Sequence, residues 1–146
     1  MSITVRKANP TDAAAVADLI NELARGGDWE SPVTEAYAAQ YLARSGQGVL
    51  LAEENGEPLG LISYSLRPNL YHAADSCLIE ELIVHRRSRG QGVGRALVEE
   101  LEQLAAARRC AEISVTTLPK NKAAIAFYRR LGFTDEALYL EKHLED

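Results

Sequence analysis

The stretch from Cys77 to Leu97 constrains the fold more than any other part of the chain. It opens on Cys77-Leu78-Ile79-Glu80-Glu81-Leu82-Ile83-Val84, a mostly continuous apolar run of the kind a central buried strand carries. Two carboxylates in the middle of such a run are unusual. His85-Arg86-Arg87-Ser88 then leads into Arg89-Gly90-Gln91-Gly92-Val93-Gly94-Arg95, with glycine at every second position of the turn. A helix follows at once, with Val93, Leu97, Leu101, Leu104 and Ala105 on one face and Arg95, Glu99, Glu102 and Gln103 on the other. Strand, glycine turn and amphipathic helix in direct succession specify a layered α/β domain.

The turn also has a chemistry. Glycines admit positive φ and remove side chains, so backbone N–H groups can approach a ligand closely. The first N–H groups of a helix have no partner inside it and lie at the positive end of its dipole. Together these form a cradle for phosphate or pyrophosphate. A dinucleotide fingerprint would need glycine at 90, 92 and 95, and position 95 is Arg; no Gly-Lys-Ser or Gly-Lys-Thr run is present for a P-loop. A glycine-rich connection without a ligand is the plain alternative.

The rest of the chain fits the same architecture. Alternation predicts a strand over 2–7. Asn9-Pro10 caps a helix marked by Val16, Leu19, Ile20 and Leu23 and ended by Gly26-Gly27, and Ser31-Pro32 repeats the cap signal for a second helix. Val49–Glu54 and Leu59–Leu66 read as strands joined by the hairpin signal Asn55-Gly56, with Arg67-Pro68-Asn69 breaking the second. Ser76–Val84 and Glu112–Thr117 are further strands, Asn121–Leu131 is a short helix stopped by Gly132, and Leu138–Leu144 forms a last strand. The order β-α-α-β-β-β-α-β-α-β implies a mixed sheet with helices on both faces.

A length of 146 residues gives one domain, 1–146, with room for a real core. Net charge of -5 and a pI near 5.3 argue against a general nucleic-acid binder, although Arg86, Arg87, Arg89 and Arg95 make a local basic patch. Cys77 and Cys110 show no CxxC spacing and read as free thiols of a reducing compartment; no metal-ligand cluster is visible. No signal peptide and no membrane-length apolar run is visible, so no membrane partner and a cytoplasmic location are expected.

The turn and the late helix together carry a resemblance. The chain resembles the GCN5-related N-acetyltransferase (GNAT) family, whose signature Arg/Gln-x-x-Gly-x-Gly/Ala is matched by Arg89-Gly90-Gln91-Gly92-Val93-Gly94 after the strand Leu82-Ile83-Val84. A second family segment, Asn-x-x-Ala-Ile-x-x-Tyr-x-x-x-Gly-Phe, is matched from Asn121 to Phe133. One departure is Arg86, where the family often has Pro. The resemblance implies a family-type, mostly antiparallel sheet of about six or seven strands flanked by four helices. It implies acetyl-CoA as acetyl donor, with backbone amides of about 90 to 95, from Gly90 and Gln91 through Arg95, on the pyrophosphate. The main chain of Leu82, Ile83 and Val84 would meet the pantetheine arm, which lies where the sheet splays near Ile113 to Thr116. Asn121 would contact the arm, and Tyr128 would sit beside the sulfur.

Acetyl transfer needs a neutral amine, donors for the carbonyl oxygen and a proton for the departing thiolate. Tyr128 can supply that proton, since a phenol of pKa about 10 stays protonated at neutral pH; its plain reading is packing with Phe127 and Phe133. The N–H of Val84 is the expected oxyanion donor. Glu80 and Glu81 are candidate bases, directly or through water, and strand alternation lets only one face a given site. Glu80 is favoured because polyamine-type acetyltransferases carry an acid at the matching place. Asp28, Trp29 and Glu30, in the loop between the first two helices, and Tyr71 are expected to border the acceptor, a primary amine of a cationic small molecule or a peptide. A second copy of the chain is a candidate partner. A non-catalytic acyl-CoA-binding module and a transferase of longer acyl groups are the rival readings.

Overall fold

The computed structural model describes residues 2–27 and 29–144. Strand β1 (Thr4–Lys7) leads through a single 3-10 turn at Pro10–Asp12 into α1 (Ala13–Gly26). The entry is fixed by a reciprocal cap: the Asn9 side chain accepts from Thr11 N, and the Asp12 carboxylate accepts from Asn9 N. Helix α2 (Glu35–Ala43) begins later than Ser31-Pro32 suggests. Thr34 is its cap and accepts from Tyr37 N at 3.0 Å, while Ser31 only closes a local turn to Val33 N.

Strands β2 (Gln47–Glu54), β3 (Glu57–Asn69) and β4 (Ala74–Val84) form an antiparallel meander. β3 runs through Arg67-Pro68-Asn69 rather than breaking there. Beyond Ser65 it pairs with β4 alone, so Pro68 removes no bond to β2. A 3-10 turn at Arg86–Ser88 and the glycines lead to α3 (Val93–Ala107), then β5 (Glu112–Val115) and α4 (Lys122–Arg130). The sheet order is β1-β2-β3-β4-β5, antiparallel except for the parallel pair β4-β5, with four helices around five strands.

The expected last strand is absent from the described residues, so the sheet has five strands and not six or seven. Residues 134–144 form no helix or strand, and Leu138, Leu140 and Leu144 are 90%, 87% and 90% exposed. Alternation alone does not make a strand; a ladder partner is required, and β5 pairs only with β4.

Each face of the sheet has its own core. Leu50, Ala52, Ile62, Tyr64, Cys77 and Ile79 pack under α3 and α4 with Leu97, Leu101 and Tyr128. Val49, Leu51, Leu61 and Ile83 pack on the other face against α1 and α2. No helix among the described residues is long and apolar enough to cross a membrane.

Candidate active site

Two irregularities in β4 build the site. The first is a bulge. Ser63 of β3 pairs with Glu81, but its neighbour Tyr64 pairs with Ile79, so Glu80 is an extra residue with no partner opposite. Below the bulge Cys77 and Ile79 face the α3 core; above it Leu82 and Val84 do, and Ile83 faces α1 and α2. The extra residue therefore reverses the alternation and turns Glu81 toward α1 and α2.

The second irregularity is a divergence. β5 follows β4 only from Ser76 to Ile79, where Val115 is the last paired residue. The main chain of β4 beyond Ile79 is paired with β3 on one edge and free on the other. His85 N donates to Leu59 O of β3 at 2.7 Å, so strand alternation turns the N–H of Val84 to the free edge. Arg89 Nε donates to Val84 O at 3.1 Å and ties the turn to the end of the strand.

The glycine turn is open where a ligand would need space. Gly90 and Gly92 have φ of +76° and +84°, and a Cβ at either would meet nothing within 4 Å. Gly92 is the N-cap residue before α3, with no side-chain cap over the helix end. Gly94 differs: a Cβ there would lie 3.3 Å from Phe127 of α4, so this glycine serves helix packing. Arg95 is exposed and paired with Glu99, and Gln91 is exposed. The turn is anchored to α1 by Glu22, whose carboxylate accepts from Arg86 N at 3.0 Å and stands 3.3 Å from His85 Nδ1.

Tyr128 is buried between Phe127 and Phe133, with ring centroids at 5.1 and 5.5 Å in edge-on contacts. Burial pushes its phenol up to about 12. Packing and proton donation are thus compatible: the ring is held, and the hydroxyl stays protonated at neutral pH. Asn121 caps α4, its Oδ1 accepting from Ala124 N at 3.1 Å.

On the other face, a cavity of about 460 Å³ opens between α1, α2 and the sheet. Val16, Ile20 and Leu23 of α1 and Ala38 of α2 form its apolar walls, and Trp29, Tyr37 and Tyr41 supply three aromatic rings. Among the described residues, Glu81 is the one carboxylate that lines it. Solvent reaches Glu81 through the mouth, yet the surrounding protein desolvates the carboxyl enough to raise its pKa above the ordinary range. The hydrogen bond from Ser63 Oγ opposes that rise, and the charge of Glu80 adds to it. The phenol of Tyr41 is raised as well, first by burial and then by the charges of Glu81 and Glu80.

Glu80, the favoured one of the two candidate bases, stands away from this cavity. It is exposed and accepts from Ser65 Oγ at 2.8 Å, outside the cavity lining. The bulge that exchanges it with Glu81 leaves no mark in residue types, so alternation misleads there. Of the loop residues, Trp29 lines the cavity, Glu30 is exposed outside the lining, and Asp28 lies outside the described residues. Tyr71 is 92% exposed at the tip of the β3–β4 hairpin, stacked edge-on with His72. Tyr37, Tyr41 and Ser63 were missed; their only signal is helical spacing of 37 and 41 and the place of 63 opposite Glu81. Among the described residues no group of three His, Cys, Asp or Glu is placed to hold a metal ion.

The sheet thus opens beside a glycine-led helix, with a phenol on one face and a carboxylate on the other. The chain matches the Acetyltransferase (GNAT) family over residues 14–133, and it belongs to that family. It is 31% identical to an aminoglycoside N(6')-acetyltransferase type 1 of Stenotrophomonas maltophilia, across 97% of this chain and 94% of that one. It is 26% identical to the thialysine N-epsilon-acetyltransferase of Sus scrofa, across 92% and 85%. A crystal structure of an aminoglycoside acetyltransferase from an uncultured soil metagenomic sample superposes with a TM-score of 0.84 at 26% identity, covering 99% of this chain and 100% of that one. The chain is an N-acetyltransferase by class, of a family whose members use acetyl-CoA as co-substrate.

Proposed function

We propose that the protein transfers acetyl directly from acetyl-CoA to a primary amine bound in the α1–α2 cavity, with Glu81 as base and Tyr128 as proton donor. The observation that carries this reading is the placement of Glu81, the one carboxylate lining the cavity among the described residues, beside the unpaired edge of β4. The glycine turn fits the donor: the space at Gly90 and Gly92 is empty of protein and bounded by free helix N–H groups. Gly90 to Arg95 hold the pyrophosphate, the free edge of Leu82, Ile83 and Val84 pairs with the pantetheine arm, and the Asn121 amide borders the arm.

Acetyl-CoA supplies an activated acetyl thioester, whose C–S bond breaks as the amine's C–N bond forms. Glu81 takes one proton from the incoming ammonium and passes it to solvent through the cavity mouth. Val84 N–H donates to the acetyl oxygen as charge builds there. The Tyr128 hydroxyl donates to the leaving sulfur and recovers the proton that the new amide nitrogen loses. A phenol at about 12 is a weaker acid than a thiol at about 8.5, so transfer to the sulfur is uphill alone and is driven by the coupled loss of the acidic proton on the new amide nitrogen, which returns the phenol to its neutral form. No acyl-enzyme is needed. Release of free thiol from acetyl-CoA that depends on an added amine, with the N-acetyl product seen by mass spectrometry, tests the reading; acetyl-CoA that binds without any amine-dependent turnover would return it to the binding-module alternative.

Two finer points belong to the same proposal. The free thiols Cys77 and Cys110 suit a reducing compartment, and we place the reaction in the cytoplasm. The exposed Leu138, Leu140 and Leu144 support a second copy of the chain as the partner that covers the tail. Sedimentation at micromolar concentration should then give a dimer, and a monomer would overturn it.

A further inference from the structure

The relatives named above act on polar, amine-rich or amino-acid acceptors, and an acceptor site for a polycation would need several acids. The cavity here is built otherwise. Among the described residues its lining contains no Lys or Arg and one carboxylate, Glu81, against a wall of aliphatic side chains from α1 and α2. Two of its aromatic rings stand at the mouth largely unburied: Trp29 is 63% exposed and Tyr37 is 53% exposed. Exposed rings that converge on an apolar hollow are the pattern of a site for an apolar ligand body. The volume, about 460 Å³, is in the lower part of the range for small-molecule sites.

A polycation placed here would satisfy one ammonium at Glu81 and leave its others desolvated against hydrocarbon, which is costly. A neutral apolar body would instead displace water from Val16, Ile20, Leu23 and Val33. Glu30 does not change this, since it is exposed outside the lining. On the reading that this cavity is the acceptor site, we infer that the acceptor is a monoamine with one primary ammonium on an apolar, ring-sized body. The ammonium meets Glu81 at the sheet, and the body lies between α1 and the rings of Trp29, Tyr37 and Tyr41.

The test uses the full chain and three probes: phenethylamine, spermidine and kanamycin. Trp29 is the single tryptophan of the chain, so its fluorescence reports occupancy of the cavity independently of turnover. Phenethylamine should change the Trp29 signal saturably, spermidine should not, and kcat/KM for phenethylamine should exceed that of either other amine by at least ~10-fold. Tyr37→Ala should lower kcat/KM for phenethylamine by about 10-fold, the effect of one lost ring contact, and leave spermidine within about 2-fold. Tyr37→Phe, which keeps the ring, should recover most of the phenethylamine activity that Tyr37→Ala loses, which separates loss of a ring from loss of the fold. Saturable phenethylamine binding with no acetylation of any amine would keep this inference and remove the transferase reading. Faster turnover of spermidine or kanamycin than of phenethylamine, or no saturable Trp29 response to phenethylamine, would overturn the inference.

Discussion

The lower half of β4, Ala74–Ile79, is paired with β3 and, from Ser76 on, also with β5; the upper half, Glu80–Val84, is paired with β3 alone. Cys77 and Ile79 in the lower half are buried at 0% and 2% exposure and belong to the α3 core. The upper half holds Glu80 and Glu81, a bulge and a free edge. One strand thus does two jobs. Where both ladders are closed, it contributes packing; where one is open, its backbone N–H groups and one side chain are available for a ligand. The bulge sits at the boundary and fixes which side chain serves each face.

The two halves should respond differently to substitution, most of all where the open half meets the glycine turn. Gly92→Glu should weaken acetyl-CoA binding by roughly 10³-fold, the cost of opposing like charges at close range. The protein should stay folded, because the new Cβ meets no protein atom. A side chain at φ +84° costs about 1–2 kcal/mol, so melting should fall by roughly 2–8 °C. Calorimetric titration with a melting curve checks both. Near-parental affinity would detach the turn from the open half of β4.

Next in size is Tyr128→Phe. It should lower kcat by roughly 10²-fold with KM for acetyl-CoA nearly unchanged, since the lost donor acts as charge develops on sulfur. The ring stays in its place between Phe127 and Phe133, so stability should change little. An unchanged kcat in steady state and in a single turnover would leave Tyr128 as packing alone.

The sharpest comparison is between the adjacent acids. Glu81→Gln should lower kcat/KM about 30-fold, short of the usual 10²–10⁴ range for a positioned base because solvent also reaches the site. Glu80→Gln should stay within about 3-fold. The pH profiles carry more information. A base works unprotonated, so activity rises with pH through the pKa of Glu81, which desolvation places above the ordinary carboxylate value. That limb should vanish in Glu81→Gln. In Glu80→Gln it should persist and move to lower pH, because the Glu80 charge is one of the causes that raise Glu81. Equal losses in the two variants would break the assignment of faces by the bulge.

That pair also shows where the sequence stops being legible. The element order from Thr4 to Arg130 follows from periodicity, caps and Asn55-Gly56, because these are local signals. The glycine turn is legible for the same reason: positive φ at Gly90 and Gly92 is a local demand. The identity of the facing carboxylate is not local. It depends on one unpaired residue in the β3–β4 register, and register is set by pairing rather than by residue type. The tail fails in a related way. Leu138, Tyr139 and Leu140 have the composition of a strand, but the ladder they would need lies outside their own sequence. The apolar character of the α1–α2 cavity is likewise assembled from α1, α2 and three strands, so no single stretch of sequence announces it; the acid Glu30 suggests a charge, yet it stands outside the lining that Trp29, Tyr37 and Tyr41 form.

The smallest effect is expected at the far end of the lower half, where the β3–β4 hairpin carries Leu70 and Tyr71 into solvent at 99% and 92% exposure. Tyr71→Ala should change kcat/KM for phenethylamine by less than about 2-fold, the usual size of a surface substitution. Its ring touches only His72 edge-on among the described aromatic contacts, so melting should also be unchanged within a degree or so. Two large apolar side chains in water are nevertheless an unusual way to end a hairpin. A loss beyond about 5-fold in kcat/KM, with KM rising and kcat constant, would mean that the tip folds over the acceptor during turnover. The acceptor side would then extend along the closed half of β4, and the division of the strand into a packing half and a binding half would no longer hold.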